Sequence, residues 1–316
     1  MATDLAVELD GQYRALREGA GVLNRSQRGK LAVSGPDAAD FLQGQLTNDV
    51  EALAPGEGCY AALLNRKGHM QADMRVLRLG PEEIWLDTEP EARDAVVRHL
   101  SMYRIGRELD LVEDAERAIL SAIGPQAAEL TGAGPLSPEH AHREIELGGA
   151  VCRAVATDLG IDLICAAADA EAIAGALIAA GAVQVGEAAA EILRVESGRP
   201  RFGREMTTAT IPQEAGIDDR AVSFTKGCYI GQETVARLHY KGKPNRHLRG
   251  LRLEAPATDG DAIVFDGREV GRLGTAVLSP ALGPLALAVV RREAQPGDRV
   301  EVGERAIGAA VAEVPF

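Results

Sequence analysis

The chain has 316 residues, 46% hydrophobic and 26% charged, with 34 Lys and Arg against 47 Asp and Glu for a formal net charge of −13. That length exceeds what one hydrophobic core usually fills, so two or three subdomains are expected. The acidity disfavours direct binding to nucleic-acid backbones. The opening MATDLAVELDGQYRALREG has no secretory apolar core and no apolar run is long enough to span a membrane, which makes the cytoplasm the expected setting.

In chain order, residues from Asp4 to Glu18 read as a short amphipathic helix. A second helix is expected from Pro36, a residue tolerated in the first turn, with Phe41 and Leu42 turned inward. CYAALLNRKGHMQADMRVLRL reads as a β-hairpin whose turn is Asn65-Arg66-Lys67-Gly68, Gly68 supplying the positive φ of a tight loop. In its second strand the period of two puts Met70, Ala72, Met74 and Val76 on one face. Gln71, Asp73 and Arg75 share the other, which is expected to face solvent. A strand around Ile84–Leu86 and a helix over Glu89–Tyr103 follow.

Further on, IDLICAA reads as a buried strand, DAEAIAGALIAAG as a helix ending at Gly181, and AVQVGE as another strand. AAAEILRVESG is a helix whose last turn holds Arg194 and Glu196, with Gly198 as its cap. Hairpins mixed with single helices point to α+β layers rather than a doubly wound parallel sheet. After about Lys243 the runs become short and strand-like, with turns at Asp266-Gly267, Ser279-Pro280 and Gln295–Asp298. A small β-barrel or jelly-roll-like domain is expected over 241–316.

Four cysteines, Cys59, Cys152, Cys165 and Cys228, form no CxxC pair, so no metal site is read from their spacing. Cys152 and Cys165 lie in apolar stretches and read as small hydrophobes. Cys228 stands in the densest cluster of chemistry, Lys226-Gly227-Cys228-Tyr229-Ile230-Gly231-Gln232-Glu233-Thr234-Val235-Ala236-Arg237. Its two glycines free the backbone, and Lys226, Arg237 and His239 are cations of the kind that favour a thiolate. Gln232 and Glu233 add an amide and a carboxylate able to hydrogen-bond a polar ligand. On spacing alone, a buried cysteine in a turn before a helix explains the run equally well.

KGCYIGQE resembles the YgfZ-family motif, a lysine-glycine-cysteine-aromatic stretch followed one residue later by glycine-glutamine-glutamate, and Lys226 to Glu233 fill every position. LRVESGRPRFGREM, with Arg194, Glu196, Gly198, Pro200 and Gly203, and IPQEAGI, with Pro212, Glu214 and Gly216, resemble stretches shared by YgfZ proteins and the glycine cleavage T protein. FLQGQLTNDVEAL, with Gln43 through Asp49, again resembles the YgfZ pattern. The resemblance runs from about Leu31 to the C-terminus.

That resemblance implies a ring-like α+β arrangement of ferredoxin-like or Greek-key subdomains with a C-terminal barrel, and tetrahydrofolate or a one-carbon derivative in the central opening. It implies a folate-binding region over 1–240, in two α+β subdomains with a hairpin subdomain at about 51–115. Glu196 takes the pterin-contacting position, where a carboxylate accepts paired hydrogen bonds from amino and ring N–H groups. The other expected folate contacts are Lys226, Gln232, Glu233, Arg237, Asn48 and Tyr60, with Cys228 and Asp73 as the chemical groups. From the residues themselves, Asn48 and Asp49 also read as a turn-forming Asx pair. Tyr60 and Tyr229 read as core, and HYKGKPNRH as a solvated linker that includes His239 and His247.

The T protein carries two adjacent acidic residues after its first hairpin, one catalytic; here the pair is Ala72-Asp73, and either position can match the catalytic one. The T protein also lacks the cysteine motif. Both departures point to the YgfZ branch, associated with maintaining iron–sulfur enzymes, including ones that modify transfer RNA. Expected partners are therefore iron–sulfur enzymes or their assembly factors. The alternative is a tetrahydrofolate-dependent aminomethyl or one-carbon transferase.

Overall fold

The computed structural model describes residues 2–316, with side-chain surroundings from residue 7 onward. Its compact units are two: one runs to Leu63 and resumes over Ala72–Ala190, the other takes Leu64–Gln71 and Glu191–Phe316. The mixed α+β class is as expected, with no doubly wound sheet among the described residues.

The first unit is built on two sheets. Its five-stranded sheet runs Gly58–Leu64, Met70–Gly80, Glu83–Thr88, Gly29–Ser34, Asp110–Glu113. The hairpin forms where the sequence places it, with Gly68 at φ +82° and its N–H donating to the Asn65 carbonyl at 2.9 Å. The six-stranded sheet runs Val183–Gln184, Gly21–Asn24, Arg117–Ile123, Gly160–Ala166, Ala150–Ala156, His142–Leu147. AVQVGE contributes only Val183–Gln184, paired parallel to Gly21–Asn24.

Alternation in Arg117–Ile123 assigns the core. Leu120 joins Leu163, with Ile173 and Leu177 from the helix Ala170–Ala179. Ile119, on the opposite face, meets Val155 and Ile164 of its own sheet and Leu77 and Trp85 of the five-stranded sheet. The two sheets therefore pack face to face. This corrects the expectation that Gln71, Asp73 and Arg75 share a solvated face: Asp73 and Arg75 are both 8% exposed. The period of two was right, but it carries no information on whether a second sheet covers the polar face.

On the other face, Met70, Ala72, Met74 and Val76 are buried. The helix Ala38–Gln45 buries Phe41 and Leu42, beginning two residues after Pro36. The helix expected from Glu89 opens as a 3₁₀ turn, Pro90–Ala92, and continues as Arg93–Tyr103, burying Val96 and Leu100 while Tyr103 stays exposed.

In the second unit, the strands Arg246–Leu253, Gly283–Arg291, Arg268–Ser279, Ala262–Phe265, Arg299–Val302 and Ile307–Ala312 close into a barrel. Asp266 and Gly267 form its two-residue hairpin turn with φ +48° and +72°, the double positive φ such a turn requires. Leu251, Ile263, Leu273, Ala288, Val290 and Val302 fill the barrel. The helix Glu187–Glu196 places Val195 against Leu248, Leu285 and Leu287, with Val314 and Phe316 beside them. Gly198, at φ +70°, is required there: a Cβ would stand 2.5 Å from Val314 Cβ. The helix Gln232–Lys241 takes in His239, Tyr240 and Lys241, so only the rest of HYKGKPNRH serves as a link to the barrel.

Candidate functional site

In the second unit, Cys228 lies on the irregular run just before the helix Gln232–Lys241. Gly231 begins that helix at φ +86°, and a Cβ on it would meet the Asn65 carbonyl oxygen at 2.5 Å. A Cβ on Gly68 would likewise stand only 2.8 Å from Thr234 Cβ. The glycine of the motif thus lets the hairpin tip seat against the helix start, which fixes the loop carrying the thiol.

Flanking side chains turn inward while the thiol turns out. Tyr229 is 7% exposed and Lys226 is 9% exposed, with Lys226 Nζ 5.2 Å from the Tyr229 ring centroid. Cys228 is exposed. The alternative of a buried turn cysteine does not hold. Among the described residues Cys228 makes no hydrogen bond or ion pair with Arg237 or His239. Gln232 is half-buried and Glu233 and Arg237 are exposed on the first two turns of the helix. His239 instead stacks on Phe224 at 3.6 Å between ring centroids.

Glu196, last residue of its helix, is 7% exposed and accepts the Ser279 hydroxyl at 2.6 Å. Ser279 is fixed by the Ser279-Pro280 turn, where its Oγ accepts the N–H groups of Ala281 and Leu282. Glu196 is thus a buried, positioned carboxylate. Arg194, two residues earlier, ties Glu191, Glu205 and Thr275 together at 2.7–3.0 Å and is a clamp on the loop that follows.

In the first unit, Tyr60 donates its hydroxyl to Asp73 Oδ2 at 2.5 Å. Asn48 Nδ2 donates to the Tyr60 carbonyl at 2.8 Å, and Asn48 Oδ1 accepts the Asp49 N–H at 2.9 Å. Asn48 is therefore a turn residue that also positions Tyr60. Asp73 Oδ1 is buried with no hydrogen-bond partner among the described residues. Burial, with the field of Glu89, pushes the Asp73 carboxyl up to about 6, against the Tyr60 hydrogen bond that favours its charge.

Sequence reasoning missed the buried ion network next to Asp73. Arg75 donates to Asp87 at 2.6 Å and to Asp162 at 2.5 Å. Arg28 donates to Asp87 at 2.7 Å and also pairs with Glu89. The only signal was Arg75 beside Asp73 in a strand buried on its other face. Cys152 and Cys165, cross-strand partners, pack as small hydrophobes as read, and burial raises the Cys152 thiol to about 11.

A sheet-based unit with a buried carboxylate and a second unit closing in a barrel define an α+β class that comparison identifies directly. Residues 5–226 match the GCVT N-terminal domain, and residues 246–316 the glycine cleavage T-protein C-terminal barrel domain. The chain belongs to the glycine cleavage T-protein family.

An aminomethyltransferase of Rubrobacter xylanophilus is 30% identical over 98% of this chain and 86% of its own length. A chloroplastic Arabidopsis thaliana protein, whose name assigns it provisionally to the transferases, is 29% identical over 97% of this chain and 73% of its own length. Among solved structures, glycine cleavage system aminomethyltransferase T from Bartonella henselae superposes with a TM-score of 0.88 at 24% identity, covering 98% of this chain and 89% of that one. That last likeness is one of fold. No helix among the described residues is long and apolar enough to cross a membrane.

Proposed function

We propose that the protein is a tetrahydrofolate-binding accessory protein of the YgfZ branch, acting in the cytoplasm in support of iron–sulfur enzymes, transfer-RNA-modifying ones among them. The observation that carries this reading is Cys228: an exposed thiol in a completely filled motif, between two inward-turned neighbours. A lone thiol cannot hold a cluster, so the remaining ligands come from a client enzyme or assembly factor.

The residues present fit a reduced pterin. Glu196 is a buried, fixed carboxylate of the kind that accepts paired N–H groups, and it would hold the pterin. In the first unit, Asp73 Oδ1 is a buried acceptor lacking a donor. When bound, the folate supplies a one-carbon carrier. A second reading, a folate-dependent aminomethyl or one-carbon transferase, is favoured by Asp73 itself, since a carboxyl titrating near 6 suits proton transfer near neutrality.

Calorimetry with tetrahydrofolate under anaerobic, reducing conditions tests the ligand. Saturable binding is expected, weakened about tenfold or more in Glu196→Gln, the scale of a lost charged hydrogen bond. No binding by the wild type would reject the folate reading. The thiol is tested separately, in cells lacking the protein. Cys228→Ala is expected to fold and bind folate yet fail to restore iron–sulfur enzyme activity, and full restoration would remove Cys228 from the function.

A further inference from the structure

We propose that an open pocket on the barrel, lined in part by Arg246 and Arg291, binds a small phosphate-bearing anion. The inference is independent of the folate reading, because none of the pocket's lining residues belongs to the cysteine motif or is Glu196.

The pocket has a volume of about 500 Å³, within the range of small-molecule sites and larger than a bare ion needs. Its charged lining is Arg204, Arg246, Arg272 and Arg291 against Glu205 and Glu269, a positive excess in a chain of net charge −13. Two of the arginines are already matched. Arg272 donates to Glu269 at 3.0 Å, and Arg204 to Asp259 at 2.9 Å. Glu205 Oε2 accepts from Arg194 at 3.0 Å and from the Arg201 N–H at 3.0 Å.

Arg246 and Arg291 are left over. They are directly opposite each other on the antiparallel strands Arg246–Leu253 and Gly283–Arg291. Neither makes a hydrogen bond or ion pair among the described residues. Like charges facing across a strand pair are destabilising, so the fold alone gives no reason for the pairing. Glu214 is near enough for its carboxyl to feel Arg246 but makes no ion pair with it among the described residues. Two guanidinium-bearing residues on neighbouring strands of one pocket lining suit an oxyanion with at least three terminal oxygens. A single carboxylate is filled by one fork, whereas a phosphate or diphosphate can take both.

The test is calorimetry with inorganic pyrophosphate at about 0.15 M salt, where loose surface attraction is screened. Single-site binding is expected, at least tenfold weaker in Arg246→Ala and in Arg291→Ala. Glutarate, a dicarboxylate, is expected to bind at least tenfold more weakly than pyrophosphate. Without ligand, both variants should melt at or above the wild-type temperature, because each relieves the like-charge pair. Arg246→Gln, which keeps the stem, guards against a packing defect in the alanine variant. The proposal is overturned if pyrophosphate fails to bind up to about 1 mM. Equal binding of glutarate, or undiminished binding in folded variants, overturns it too.

Discussion

Alanine at Asp87 is expected to destabilise the protein by about 3–5 kcal/mol, the usual consequence of removing one partner from a buried ion pair. Asp87 is fully buried, and both its oxygens are engaged, Oδ1 by Arg28 and Oδ2 by Arg75. Burial alone would raise its carboxyl, but the guanidiniums of Arg75 and Arg28 hold it below the ordinary aspartate range. Its removal leaves two buried Nε–H donors unmatched, and Arg75 already has an Nη2 with no partner. Asp162 and Glu89 would remain, so total charge is not the difficulty; hydrogen-bond geometry is.

Urea denaturation at neutral pH checks this through the midpoint, provided the slope is unchanged. Asp87→Asn keeps one acceptor and should fall between wild type and Asp87→Ala. A loss below about 1 kcal/mol in the alanine variant would mean that water replaces the carboxylate, and that the network does not hold the sheets in register.

The network also explains what the sequence could and could not disclose. Local turn chemistry was legible: Asn65–Gly68, Asp266-Gly267 and the Gly198 cap all stand where their residue types place them. So was the barrel, from short runs separated by turn signals. The burial of Asp73 and Arg75 was not legible, because alternation assigns residues to faces without saying what lies over each face. WLDTEP likewise reads only as a strand end until register sets Asp87 opposite Arg75 and Lys30.

The candidate site divides in the same way. Glu196 and Cys228 stood out through their motifs, but the direction of each side chain came from tertiary neighbours. Ser279, on a barrel turn far along the chain, is what fixes Glu196. Lys226, adjacent but one to Cys228 in sequence, lies over Tyr229. His239, Tyr240 and Lys241 looked like linker because they are polar, yet they complete a helix anchored by the buried Val235.

Asparagine at Asp73 is expected to stabilise the protein at pH 7.5 by about 2–3 kcal/mol, and to change it little at pH 4. The folded-state carboxyl is raised from 3.8 to about 6. Between those values the native protein holds a proton that the unfolded chain has released, so stability falls as pH rises through the window and stays lost above it. At about 1.4 kcal/mol per pH unit the loss approaches 3 kcal/mol. Asparagine is neutral throughout, and its carbonyl still accepts the Tyr60 hydroxyl, so it avoids that loss without breaking the hydrogen bond.

Many other groups titrate over this range, so the decisive quantity is the stability difference between variant and wild type, measured by urea unfolding from pH 4 to 8. A difference that rises with pH and levels off near 7 locates the penalty at Asp73. A difference independent of pH would mean that its carboxyl is not perturbed. The same variant separates the two functional readings. A transferase using Asp73 to move a proton should lose at least about 10²-fold in turnover, with an aminomethyl-lipoyl carrier and tetrahydrofolate as substrates. An accessory protein acting through Cys228 should support its iron–sulfur clients as before, on a more stable fold.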